Sequence, residues 1–115
     1  MGSRDPDCLF CKIVAKQLPS KIVAEHDNYM AIRDVNPQAP VHILILPRDH
    51  AADITEMEDA TLLGTLFKAA SSIADVEGLN NGFRLVVNTG SQAGQSVFHL
   101  HIHLLGGRPM RWPPG

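Results

Sequence analysis

The strictest pattern in the chain lies over residues 97–105, where Leu100, Ile102 and Leu104 alternate with His99, His101 and His103. Successive side chains of a strand point to opposite faces. The period of two therefore predicts a strand with one apolar face in a core and three imidazoles on the other. Residues 41–46 are nearly all apolar and run into Pro47, which predicts a central strand covered on both sides. Two shorter runs of β-forming residues, 22–26 and 29–34, flank Asp27-Asn28 and predict a hairpin. Residues 83–88, after the Asn81-Gly82 turn, predict one more strand.

Over residues 59–77 the spacing changes to 3.6, with Leu62, Leu63, Leu66, Phe67, Ala70, Ile73 and Val76 on one stripe. This predicts a long helix. Thr55-x-x-Glu58 reads as a capping box before it, and Gly78 with Leu79 as a left-handed C-terminal cap. A short helix is expected from an Asp7 cap to Gln17, carrying Phe10, Ile13 and Val14 and stopping before Pro19. Pro37 and Pro40 predict an irregular loop ahead of the central strand. The sum is an α+β fold: a five-stranded, largely antiparallel sheet with one long helix and a short N-terminal one. It occupies a single domain, residues 7–115, after a flexible start over residues 1–6.

A chain of 115 residues makes one domain that buries about two-thirds of its unfolded surface. A net charge of −2 offers no basic footprint for duplex nucleic acid or an anionic membrane. No apolar run is long enough to span a bilayer. The charged start, Met1 to Asp7, does not read as a secretory signal, and two cysteines are too few for a disulfide scaffold. We expect a cytoplasmic protein.

Three imidazoles on one strand face disfavour each other's protonation, which keeps at least one neutral near pH 7, as a nucleophile or metal ligand must be. His-x-His pairs on strands bind zinc. The strand rises about 13 Å from His99 to His103, however, against about 2 Å for a zinc–nitrogen bond, so one ion does not take all three. Cys8-x-x-Cys11 has three readings: two small hydrophobes under the sheet, a redox pair, or half of a zinc site that needs two more ligands. The glycine-bearing loop over residues 90–96 is not a P-loop, yet its N–H groups suit phosphate oxygens. His26, beside the hairpin turn, reads as a surface residue.

The run His99-Leu100-His101-Ile102-His103-Leu104-Leu105 resembles the signature of the histidine triad (HIT) family of nucleotide hydrolases and transferases. Its surroundings are similar to the Hint-like branch. These are Asp34-Val35-Asn36-Pro37-Gln38-Ala39-Pro40-Val41-His42, Asn88-Thr89-Gly90, Gly94-Gln95-Ser96-Val97, Gly106-Gly107-Arg108 and Trp112-Pro113-Pro114-Gly115. The similarity spans about residues 7–115.

The resemblance implies a purine nucleoside phosphoramidate or nucleotide hydrolase, adenosine phosphoramidase-like, acting at the α-phosphate through a covalent nucleotidyl-histidine. His101 is then the nucleophile, with His103, His42 and Ser96 completing the catalytic set. Asp34 would hold the ribose, and Val35, Ile32, Phe10 and Ile13 the base. Asn88, Gly94, Gln95, Ser96 and Val97 would join His101 and His103 around the nucleotide. Catalysis calls for no cofactor. A structural zinc on Cys8, Cys11, His50 and His99 is implied by those family members that carry cysteines at this position, and it would employ the one triad histidine left without chemistry. The branch also implies a homodimer with its sheets paired and the tail, with Trp112, near the interface. The alternative function is a zinc-stabilised nucleotide-binding adaptor with residual catalysis; a third reading is a zinc hydrolase that uses the triad as ligands.

Overall fold

The computed structural model describes residues 4–115. Met1 to Ser3, half of the expected flexible start, lie outside the described residues. Arg4 hydrogen-bonds the Arg48 carbonyl and lies 3.4 Å from the Asp49 carboxylate.

Five strands form one sheet: β1 (Ile22–Glu25), β2 (Tyr29–Arg33), β3 (Val41–Pro47), β4 (Phe83–Val86) and β5 (Ile102–Gly106). Their order across the sheet is β1-β2-β3-β5-β4, and every neighbouring pair is antiparallel. Helix α2 (Ala60–Val76) covers one face, and the six-residue helix α1 (Leu9–Val14) packs its buried residues on the other. This is the expected α+β fold.

Register sorts the residues between the faces. Leu44 lies opposite His103 and Ile32, and His42 lies opposite Leu105. By the pleat, His42, Leu44, Leu46 and His103 share the α1 face, while Ile43, Ile45, Ile102 and Leu104 face α2. Each face closes its own core. Ile43, Ile45, Leu66, Ala70 and Leu104 fill the α2 side; Phe10, Cys11, Met30, Ile32 and Leu46 fill the other.

Several boundaries differ from the sequence pattern. β5 starts at Ile102, not at 97, and its last partner on β3 is Ile45. Pro47 ends β3 and has no N–H to extend the ladder. The segment before β5 keeps its alternation all the same: Leu100 sits in the α2-side core, and its N–H bonds the Ala51 carbonyl at 2.7 Å. α1 is capped by Cys8, not Asp7, and stops at Val14. Lys16 there adopts a left-handed φ of 61°, and the Gln17 and Lys16 N–H groups bond back to Lys12 and Ile13. α2 is capped by the Asp59 carboxylate, which accepts the Leu62 N–H at 2.9 Å. Thr55 belongs instead to a 3₁₀ turn capped by Asp53.

Candidate active site

A cleft of about 740 Å³ opens on the α1 face of the sheet. It is bounded by α1, by β2 and the loop after it, by β3, and by residues 94–97. His42, Ser96, His101 and His103 all line it, as do Asp34, Val35, Ile32, Phe10, Ile13, Gly94 and Val97. Val35 stands at the mouth and is 98% exposed, whereas Phe10, Ile13 and Ile32 are buried in the floor.

Two expected residues lie elsewhere. The Gln95 side chain is buried away from the cleft, where its amide bonds the Ala52 and Val97 carbonyls and accepts the Gly90 N–H. The backbone N–H groups of Gly94 and Gln95 are likewise spent on Ser91 and Gly90 within their own turn. Asn88 stands behind Gly94, whose ideal Cβ position would lie 3.9 Å from its Nδ2. Other lining residues escaped the sequence pattern. Leu44 was findable, two positions after His42 on the same strand face. Leu18, Pro19, Ser20 and Gln38 carried no periodic signal.

Hydrogen bonds determine which ring nitrogen carries a proton at each histidine. The Gln38 N–H donates to His42 Nδ1 at 3.0 Å, so neutral His42 bears its proton on Nε2. That Nε2–H donates to His103 Nδ1 at 2.9 Å, with the Asp34 carboxylate 3.4 Å away. His103 therefore holds its own proton on Nε2. His101 is the opposite case: its Nδ1–H donates to the His99 carbonyl at 2.7 Å, which leaves Nε2 with a lone pair. Burial pushes all three rings below the ordinary imidazole range, His103 down to about 4 with help from its histidine neighbours. All three are neutral at pH 7.

His99 turns away from this row. Its Nδ1 lies 3.4 Å from Cys8 Sγ and 3.5 Å from Cys11 Sγ, and His50 Nδ1 lies 3.5 Å from Cys11 Sγ. All four ligand atoms fall within 4.8 Å of one another. Zinc bonds of about 2.3 Å to sulfur and 2.05 Å to nitrogen, at tetrahedral angles, require a sulfur–nitrogen separation of about 3.5 Å. The donor set fits that ion. His99 Nε2–H is held by the Pro47 carbonyl at 2.8 Å, which aims the Nδ1 lone pair at the thiols. The Asp5 and Cys11 N–H groups point at the two sulfurs, both at 3.4 Å. Burial raises the Cys11 thiol and keeps His99 neutral down to about 4, so the pocket is costly for charge unless a cation supplies the balance.

Asp34, His42 and His103 also bring their ligand atoms within 4.8 Å. They do not suit a metal. The Gln38 N–H obliges His42 to present a proton, not a lone pair, on the nitrogen that faces the other two.

A HIT domain family model matches residues 15–110. The chain belongs to the HIT family. Among its HIT relatives, the "14 kDa zinc-binding protein" of Brassica juncea is 48% identical over 113 residues, covering 95% of this chain and all of that protein. "Adenylylsulfatase HINT1" of Arabidopsis thaliana is 47% identical over 115 residues, 96% of this chain and 78% of that one. The crystal structure of a HIT family hydrolase from Legionella pneumophila Philadelphia 1 superposes with a TM-score of 0.92 at 48% identity, covering 95% of this chain and 100% of its own. Among the described residues, no helix is long and apolar enough to cross a membrane.

Proposed function

We propose that this HIT protein is a hydrolase of purine nucleoside phosphoramidates and related nucleotides that works through a covalent nucleotidyl-histidine. One observation carries the reading. His101 lines the cleft, and the lone pair of its Nε2 is left free because Nδ1–H is tied to the His99 carbonyl. It attacks the α-phosphorus, the bond to the leaving amine breaks as the amine nitrogen takes a proton from solvent, and water then cleaves the bond between phosphorus and His101 Nε2 to release the nucleotide and restore His101. His103 Nε2–H and the Ser96 hydroxyl donate to the phosphoryl oxygens as negative charge spreads over them. Asp34 takes the ribose hydroxyls, and Phe10, Ile13, Ile32 and Val35 enclose the base. The name of the Arabidopsis relative extends the leaving groups to sulfate.

Cys8, Cys11, His50 and His99 would hold a structural zinc, in keeping with the donor spacing and with the name of the Brassica relative. Bound there, the ion cross-links the segment before α1 to the sheet, and its four protein ligands leave no position for substrate. The same reading has two copies pairing along β4. That strand is at the sheet edge with no partner on its outer side among the described residues, and Phe83, Val76 and Trp112 expose apolar surface. Light scattering should give twice the 12.5 kDa chain mass. The two cysteines are free thiols, which suits a cytoplasmic protein.

The test is a quenched reaction. Wild-type protein mixed with adenosine 5′-phosphoramidate and stopped within a turnover should carry an adenylyl mass on the peptide containing His101. Turnover with the adduct on another residue, or with none, overturns the mechanism. AMP binding without turnover would select the adaptor reading.

A further inference from the structure

We propose that Arg108, two residues beyond β5, is a positioning residue that sets the proton positions of the histidine row through the Gln38 backbone. The inference rests on the hydrolase reading for its effect on rate, but not for its effect on the ring nitrogens.

Gln38 is held from both sides. Its N–H caps His42 Nδ1 at 3.0 Å. Its carbonyl oxygen accepts two N–H groups of one guanidinium, Arg108 Nη2 at 3.0 Å and Nε at 3.3 Å. The start of the loop is tied to β3 through the Asp34 N–H on the His42 carbonyl at 2.9 Å, but around Gln38 itself Pro37 and Pro40 have no N–H to donate, and residues 34–40 belong to no strand. The Gln38 side chain reaches only as far as the Asn36 carbonyl, inside the same loop. Arg108 thus clamps the Gln38 carbonyl from beyond β5.

The approach is built into the chain. Gly107 adopts a φ of 90°, and a Cβ there would lie 2.9 Å from the Pro40 Cβ. Only glycine brings the residue after β5 this close to the loop while turning Arg108 back over it. The guanidinium fork then offers two donors to one oxygen, which a single ammonium does not reproduce in full.

The consequence runs along the row. When the Gln38 carbonyl is unclamped, its N–H drifts from His42 Nδ1, and neutral His42 is free to carry its proton there. Its bare Nε2 then accepts from His103 Nδ1, so the hydrogen bond between the two rings reverses direction. His103 Nε2 becomes a lone pair facing the cleft. A donor to the phosphoryl oxygens has been exchanged for a repulsion, with no catalytic side chain removed.

The experiment compares wild type, Arg108→Met, which keeps the stem without donors, and Arg108→Lys. Arg108→Met should lower kcat for an adenosine phosphoramidate about 10-fold, part of the cost of one transition-state donor, with KM changed less than about twofold. Arg108→Lys should recover most of that loss. Ring ¹⁵N spectra should show Nε2–H on both His42 and His103 in wild type, and a mixture with Nδ1–H in Arg108→Met. Wild-type kcat in Arg108→Met overturns the proposal, and so does lowered kcat or a lowered melting temperature with unchanged ring spectra. A wild type that does not turn over refutes the hydrolase reading, while the ring spectra still decide the role of Arg108.

Discussion

Two histidine clusters share one face of the sheet and meet at residues 99 to 101, yet they are built for opposite ends. In the Cys8, Cys11, His50 and His99 cluster the donors converge on a common point and the site is closed. In the His42, His101 and His103 row the rings line the open cleft side by side, with His42 Nε2 on His103 Nδ1. Phe10 stands between them, 5.9 Å from the His99 ring and 4.9 Å from that of His101. Residue type does not separate the two clusters. The partner of the other ring nitrogen does: the Pro47 carbonyl for His99, the His99 carbonyl for His101, the His42 Nε2–H for His103. Three like residues thereby present different nitrogens: a bare Nδ1 on His99, a bare Nε2 on His101 and an Nε2–H on His103.

The largest break in this contrast is His101→Ala. Removing the nucleophile proposed above should lower turnover by at least about 10⁴-fold while AMP still binds, as calorimetry would show, because Asp34 and the apolar floor remain. Substituting the closed cluster should act on stability. Cys8→Ala with Cys11→Ala is expected to lose about one zinc per chain by metal analysis and about 10 °C or more in Tm, a few kcal/mol for a domain of this size.

A smaller effect is expected at the rim of the open row. Ser96→Ala deletes one donor and should cost about 10- to 1,000-fold in kcat with little change in nucleotide binding. The smallest concerns pH. An unperturbed imidazole gains its proton near pH 6.5, whereas His103 in the fold resists protonation down to about 4. Turnover should therefore persist well below pH 6.5 and fail toward about 4, where protonated His103 Nδ1 would confront the His42 Nε2–H. Between those limits the unfolded chain binds more protons than the folded one. His103 thus makes stability fall as pH falls through the window, by about 1 kcal/mol or more in urea unfolding. A loss of activity centred at pH 6.5 would mean that the row is not shielded as its burial implies.

Much of this was legible in the residues. Alternation over Leu100, Ile102 and Leu104 assigned the triad histidines to one face, and the apolar run at 41–46 marked the central strand. The site was less legible where it depends on backbone. Gln95 was expected at the nucleotide, and no pattern showed that its amide would find three backbone partners, on Ala52, Gly90 and Val97. Gln38 matters through its N–H, a group that every residue but proline has, so no residue pattern could single it out.

The sequence alone determined the sorting of residues between two faces and the elements that carry them, because side-chain periodicity is a local property of strand and helix. It also supplied the motif by which the family was recognised. Tertiary structure decided what the motif could not. It brought Cys8 and Cys11 from the start of the chain to His50 and His99, dozens of residues away. Through bonds between strands and loops it chose the nitrogen that holds the proton on each ring. Proton position depends on what lies across the hydrogen bond, and only the folded chain places that partner.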